Sequence, residues 1–456
     1  MRNEIMTVIE TIADWCANAT SFSPIAIERA EHGFCDTIGC IIAGRKDPAT
    51  LAAARAFETR AGGGSSTVVS GGRADPAIAA LINGVAAHAL DFDDNFHGAT
   101  THASAVLVPA LLAMAQALGR DGRQMIEAYI VGLEAQARIS SGVNPSHYTA
   151  GWHATSTIGC IGTVAAVARL MGLNRDGIAQ AMSIAVSMAA GVKGQFGTPV
   201  KPLHSGLAAR NAIEAAQLSA AGMVGRLDVL ESRQGFLALY GGDYPKGWPQ
   251  DRSESRSNEL AIERFGLTAK RHPCCGATHR AIDAILDLKR DHDFRAEDVV
   301  SVNATVTEAH ARNLAYSRPD DEMQARFSMQ YTLALALSQD SLRLSDFTNA
   351  AVRRADVRAL LPLTELSVYD QATERAAAGR LPHRVIVTLK DGRRLDEVRQ
   401  AAKGDVSLPF SPDERKVKFL DCARFSGLPP AEAQELFVRS SHPAALDALD
   451  LRNFLL

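Results

Sequence analysis

The chain lacks most of the features that would assign a protein to a class at sight. Neither charge dominates: 48 lysines and arginines stand against 51 aspartates and glutamates, a formal net charge of -3. Without a basic face or a polybasic patch, nucleic acid and anionic membrane surfaces are excluded as partners. The seven cysteines are odd in number and scattered from Cys16 to Cys422, so a disulfide framework is not expected and a reducing, cytoplasmic compartment is. The longest uncharged runs, such as 177–192 (GIAQAMSIAVSMAAGV), fall short of the roughly 18–20 strongly apolar residues of a membrane span and read as buried core helices. The opening segment MRNEIMTVIETIADW carries acids through its apolar stretch, unlike a secretory leader. Phosphate-loop glycine spacing and zinc-finger cysteine pairs are both missing.

What is present is a long chain rich in alanine and glycine. A length of 456 residues suggests about two or three domains, and only 6% of them are aromatic, which favours helices packed closely through small side chains. Ser23-Pro24 and Asp75-Pro76 read as helix starts, and apolar side chains keep helical spacing through most of the first half. Beyond residue 265 the pattern changes. A helix over 280–292 is followed by alternating apolar residues over 299–307, and RVIVTLKDGRRLDEVRQA reads as a hairpin turning at Asp391-Gly392. The expected fold is therefore mainly α. Residues 1–265 and 401–456 form a large helical domain, and 266–400 form a smaller α+β domain inserted between its halves.

Ionisable residues concentrate in a few polar stretches set among apolar helices, where they are costly unless paired or used. HALDFDDNFHGATTH, residues 88–102, offers Asp91, Asp93, Asp94, Asn95, His97 and His102 at a helix end, where acids are poor partners for the helix dipole. A general base or substrate-positioning cluster fits that placement, and a divalent-cation site using Asp91, Asp93 and His102 is the rival reading. HYTAGWH supplies Tyr148 and His153, which can serve as acid and base partners. GVKGQFGTPVKPLH, read as a connection between helices, carries Lys201 and His204, suited to holding a carboxylate. KRHPCCGATH offers Lys270 and His279 as cationic groups for an anionic substrate, while Tyr331 in ARFSMQY is either a cleft hydroxyl or a core residue.

Taken in order, ALDFDDNFHGATTHAS, GWHATSTIGCIG, GQFGTPVKPLHSGLAARN, KRHPCCGATH, ARFSMQY and LPFSPDERKVKF resemble the successive blocks of the MmgE/PrpD family. The resemblance implies a helical domain made from both chain ends, an inserted α+β domain, a homodimer, and an inter-domain cleft for a small polycarboxylate that uses no metal and no organic cofactor. Carried over residue by residue, it marks Asp91, His102, His153, Lys201, Lys270, His279 and Tyr331. Two departures from the family pattern are Asn95, where some members have threonine, and Ala103, where proline is usual. They shift the expected reaction towards an isomerase, with epimerisation of iminodisuccinate by proton abstraction alpha to a carboxylate. The alternative is a lyase resembling 2-methylcitrate dehydratase or cis-aconitate decarboxylase. Lys201, His153, His102, Asp91 and Tyr148 are the expected acid–base groups; Lys270, His279, Tyr331, Asn95 and His204 are the expected substrate contacts.

Overall fold

Serine or aspartate followed by proline starts three of the N-terminal helices. The side chains of Ser23, Asp47 and Asp75 accept from backbone N–H groups of the first turn at 3.2, 2.8 and 3.0 Å, and the prolines at the first helical position have no N–H to leave unpaired. The computed structural model describes residues 6–57, 63–249, 259–377, 379–452 and 454–455. The sequence LAAARAFETR, 51–60, is expected to be helical up to a glycine-rich loop that starts at Ala61, and its part beyond residue 57, with 61–62 of the loop, lies outside those residues. In chain order the helices are α1 (Val8–Asn18), α2 (Pro24–Gly44), α3 (Pro48–Ala56), α4 (Pro76–Ala89), α5 (Ala103–Leu118), α6 (Gly122–Val143), α7 (Ser146–Thr149), α8 (Ala154–Leu170), α9 (Arg175–Val186) and α10 (Val200–Ala220). A short hairpin, β1 (Ser66–Thr67) with β2 (Arg73–Ala74), precedes α4.

Helix α4 is the centre of this bundle. All of its residues are buried, and it packs on α2, α3, α5 and α10. Glycine makes its closest approach possible: a Cβ on Gly84 would lie 2.9 Å from the Gly206 Cα, so α4 and α10 touch backbone to backbone. Their contact brings the last turn of α4, with His88, beside the first turn of α10, with Lys201. Lys201 was expected on the connection 191–204, but it is the second residue of α10. Pro202 misleads the sequence reading, because in the first turn its missing N–H breaks no helical bond.

After the bundle the chain forms a four-stranded sheet, β3 (Val299–Val306), β4 (Thr364–Val368), β5 (His383–Leu389) and β6 (Arg394–Arg399), in the order β4-β3-β5-β6. β5 and β6 pair antiparallel as the expected hairpin, β3 pairs antiparallel with β5, and β4 pairs parallel with β3. Alternate residues of β5, and of β3 from Val302 onward, are buried on one face of the sheet, and a helix, Gly276–His292, packs on β5 and β6. This helix starts four residues before the expected 280, which places His279 in its first turns. The fold is thus mainly α with a small α+β part. One core runs from Val8 to Ile262 and takes in Phe419, Leu451 and Phe454 from the other chain end; a second runs from Cys274 to Leu395. The C-terminal helices Pro412–Ser426 and Pro430–Ser441 return to pack on α2. No helix among the described residues is long and apolar enough to cross a membrane.

Candidate active site

A cleft of about 290 Å³ opens between the helical bundle and the α+β part, and residues from both line it. On the helical wall Asp91 follows the end of α4 in the left-handed region, at φ 51°, a conformation that costs a non-glycine residue about 1 kcal/mol or more. In that conformation its carboxylate is clamped between two lysines. Lys201 Nζ donates to Oδ1 at 2.5 Å, and Lys270 Nζ donates to Oδ2 at 3.0 Å and to the Asp91 carbonyl at 2.8 Å. Burial opposes the charge on Asp91, but the two ammonium groups outweigh it and hold the carboxyl well below the usual carboxylate range.

The second end of the chain of contacts is Asp93. Its Oδ2 lies 2.8 Å from His88 Nδ1, and because a carboxylate only accepts, His88 carries its proton on Nδ1 and leaves Nε2 to accept from Lys201 Nζ at 2.9 Å. Burial pushes His88 down to about 3, so the imidazole is neutral and fixed in one tautomer. The order is therefore Asp93, His88, Lys201, Asp91, Lys270, every member buried. Two of the three Lys201 N–H bonds are spoken for. The third is left for the cleft, under the rings of Phe196 and Phe327, each with its centroid 5.4 Å away.

Two imidazoles face the cleft beside this row. His102 Nδ1 is 3.1 Å from Asp93 Oδ2 but is too poorly aligned to bond it, and burial lowers its pKa. His153 Nδ1 meets His204 Nδ1 at 3.0 Å, and its Nε2 has no partner. Burial, reinforced by Lys201, keeps His153 neutral well below its usual range. Tyr148 reaches the cleft from α7, and its hydroxyl accepts from Asn313 Nδ2 at 3.1 Å. Burial raises the phenol pKa, so Tyr148 stays protonated. Lys193 Nζ sits over the Tyr148 ring at 3.8 Å and is pushed down to about 8 by burial.

Of the expected residues, Asp91, Asn95, His102, Tyr148, His153, Lys201 and His279 line the cleft. Three do not. Lys270 is fully buried behind Asp91 and acts on that carboxylate. His204 stands behind His153. Tyr331 is a core residue of the α+β part: its hydroxyl donates to the Asp346 carbonyl at 2.6 Å and its ring packs on Phe347. Asp94 also turns away, donating nothing to the cleft and accepting from the Ser104 hydroxyl inside the bundle, where burial raises its carboxyl to about 7. The cleft also contains His310, Asn313, Phe196 and Arg380, none of them singled out from the sequence. Their contributions come from distant, unremarkable stretches that only the fold brings together. His88 was inside the first polar stretch, and its spacing of five from Asp93 across a helix end was the available signal.

The rival metal reading can be tested on the donors themselves. It named Asp91, Asp93 and His102, but among the described residues the donors that converge are those of His88, Asp91 and His102, each with one donor atom within 4.8 Å of the others. Lys201 Nζ, however, already occupies the point on which His88 Nε2 and Asp91 Oδ1 converge. An ammonium and a divalent cation cannot share that point, so the set does not fit a resident cation. A thiol nucleophile fits no better: burial raises the Cys275 pKa, and His279 Nε2 is engaged with the Cys274 carbonyl at 3.1 Å.

The fold and the site thus define a cleft of buried, mutually compensated charges with unpaired imidazole nitrogen and one free ammonium N–H at its surface. The chain belongs to the MmgE/PrpD family: residues 10–248 match the MmgE/PrpD N-terminal domain and 272–442 the MmgE/PrpD C-terminal domain. It is 30% identical over 405 residues to a human protein named cis-aconitate decarboxylase, covering 86% of this chain and 82% of that protein. The mouse cis-aconitate decarboxylase is 30% identical over 76% of this chain and 72% of its own. The cis-aconitate decarboxylase of Aspergillus terreus is 27% identical over 90% and 87%.

These relatives correct the expected reaction. They bear the name of a lyase, so the isomerase reading, with epimerisation of iminodisuccinate, is withdrawn in favour of its alternative. The two departures that suggested an isomerase have structural explanations. Ala103 is the first residue of α5, where proline is favoured for helix initiation, and it is buried in the core. Asn95 pairs its backbone with Thr268 at 2.9 Å in both directions, and its side chain packs over Gly276. Ala103 follows His102 directly but turns into the core, and Asn95 lines the cleft without a hydrogen bond to Asp91, His102, His153 or Lys201 among the described residues.

Proposed function

We propose that this protein is a lyase that decarboxylates cis-aconitate. The observation that supports this reading best is the likeness to proteins named cis-aconitate decarboxylase along 76–90% of the chain. Chemically the reaction needs no redox partner. The bond from the methylene carbon to its carboxylate breaks, its electron pair forms a new terminal double bond, and the old double-bond pair moves to the vinylic carbon, which takes a proton. One proton is consumed and one carbon dioxide is released.

The negative charge passing through the vinylic carbon is shared with the carboxylate on that carbon as an enediolate, which preorganised donors stabilise. The free N–H of Lys201 meets that need, held in place by Asp91 and His88. His102 or His153 delivers the proton. Both are neutral in the empty cleft through burial, and a trianionic substrate raises their pKa by direct attraction, so the ligand itself loads the acid. Tyr148 is a protonated donor to a carboxylate oxygen.

Purified protein incubated with cis-aconitate or with 2-methylcitrate tests the proposal. Carbon dioxide evolved from cis-aconitate in step with loss of substrate is the expected result. Dehydration of 2-methylcitrate with no carbon dioxide from cis-aconitate would replace decarboxylation with dehydration.

A further inference from the structure

The cleft wall facing Asp91 belongs to the α+β part and is nearly free of acids. Arg280, on the helix Gly276–His292, is fully buried, yet no carboxylate among the described residues lies within ion-pair distance of it. Its Nη1 donates to the carbonyls of Leu381 at 2.7 Å and Gln400 at 3.4 Å, its Nη2 donates to His310 Nδ1 at 3.3 Å, and its Nε has no partner. A guanidinium can only donate, so His310 Nδ1 is an acceptor and the His310 proton resides on Nε2. His383 Nε2, 2.9 Å from the same Nδ1, is a second donor that fixes this tautomer.

His310 lines the cleft beside Arg380, and its Nε2–H makes no hydrogen bond among the described residues. Arg380 is 40% exposed at its side chain, and its carboxylate partner, Asp405, is at the edge of reach, 3.5 Å away. Burial together with Arg280, Arg380, His97 and Lys193 pushes His310 down to about 3, and no acid counters them. A buried cation without a counter-ion is costly, and an anion bound at the cleft surface offsets that cost.

We propose that the His310 Nε2–H and the Arg380 guanidinium form a carboxylate subsite for the spectator carboxylate on the central carbon of a tricarboxylate. Arg280 is a positioning residue that acts through His310. This inference rests on reading the cleft as a polycarboxylate site, and it assigns the preference for three carboxylates over two to the α+β wall. The carboxylate that leaves and the one that shares the carbanion charge then face the helical wall, where Lys201, His102 and His153 stand.

Calorimetric titration of the full-length protein separates the possibilities. The ligands are propane-1,2,3-tricarboxylate and glutarate, which lacks the central carboxylate. Wild type is expected to bind the tricarboxylate about tenfold or more tightly than glutarate, the scale of a charge-assisted contact. His310→Ala and Arg380→Gln are expected to remove that preference by weakening the tricarboxylate alone, and His310→Gln, whose amide can still donate, to restore part of it. Arg280→Gln should lose the preference as well; if it does not fold, His310→Ala decides. Equal losses for both ligands, or no loss, would overturn the subsite, as would a wild type that binds neither. Preference without carbon dioxide release from cis-aconitate would remove the decarboxylase reading and leave the subsite standing. Decarboxylation with losses shared equally would do the reverse.

Discussion

Lys201 donates to Asp91 at 2.5 Å from the first turn of α10, and this contact ties the buried charge of the helical wall to the cleft. On the far side of Asp91, Lys270 lies 3.0 Å away and makes the carboxylate a bridge between two cations. Removing one partner of a buried ion pair costs about 3–5 kcal/mol when the other is left uncompensated, and less where, as here, Lys201 still holds the Asp91 carboxylate. Lys270→Met is therefore expected to destabilise the protein in denaturant unfolding by less than about 3–5 kcal/mol. Adding Asp91→Asn to it should cost less than the two single changes summed, because the neutral amide no longer needs the missing cation.

Asp93 acts one step further back, by holding the His88 tautomer that accepts from Lys201. In Asp93→Asn the amide can donate to His88 Nδ1, which moves the imidazole proton to Nε2 and turns it against the ammonium. Turnover is expected to fall about 100-fold or more with little change in KM, measured by steady-state kinetics. A change confined to KM would place Asp93 in binding instead.

The spacing of α4 and α10 sets the site as surely as its charges do. A Cβ at Gly206 would collide with the Leu81 carbonyl and press on Val85. Gly206→Ala should force the helices apart, cost about 1–3 kcal/mol by overpacking and shift Lys201 from His88. Thermal unfolding and turnover are expected to fall together, although residue 206 touches no ligand.

Acid should destabilise the fold through its buried histidines. Burial holds His88, His279 and His310 at about 3, and His147 and His204 at about 4. Each is neutral in the folded protein while the unfolded chain protonates near pH 6.5, so below that pH the unfolded state binds more protons and stability falls, by about 1.4 kcal/mol per unit for each group. Asp94, raised to about 7, and Asp47, raised to about 6, work in the opposite sense, as do Glu31 and Asp421, whose carboxyls burial also raises, but the histidines outnumber them. The melting temperature should drop steeply between pH 6.5 and 4.5. A flat profile there would mean that these imidazoles are not buried and neutral.

The helical wall was largely legible in the sequence, because ionisable residues in apolar surroundings stand out without any knowledge of the fold. Asp91, His102, His153 and Lys201 were all found in that way. The reading failed where a residue's partner decides its role. Tyr331 and Asp346 are joined by a hydrogen bond that no spacing announces, and Lys270 looks like a substrate cation until Asp91 is seen to cover it. Arg280, His310 and Arg380 lie on a long helix, a short helix (Glu308–Asn313) and a loop whose convergence depends on the sheet between them. The parallel pairing of β4 with β3 was equally hidden, since neighbouring strands in space are separated by almost sixty residues of helices and turns. The reaction was misjudged for a simpler reason: two substitutions near the site were weighed as chemistry, and they concern a helix start and a backbone bridge.

The most direct test of the central claim is turnover of cis-aconitate in deuterium oxide, followed by NMR of the products. The account predicts one carbon dioxide per substrate consumed and one deuteron on the carbon that had been vinylic, with the new double bond at the former methylene carbon. Carbon dioxide release without that deuteron would contradict proton delivery by the cleft histidines, and unchanged cis-aconitate would contradict the decarboxylase assignment itself.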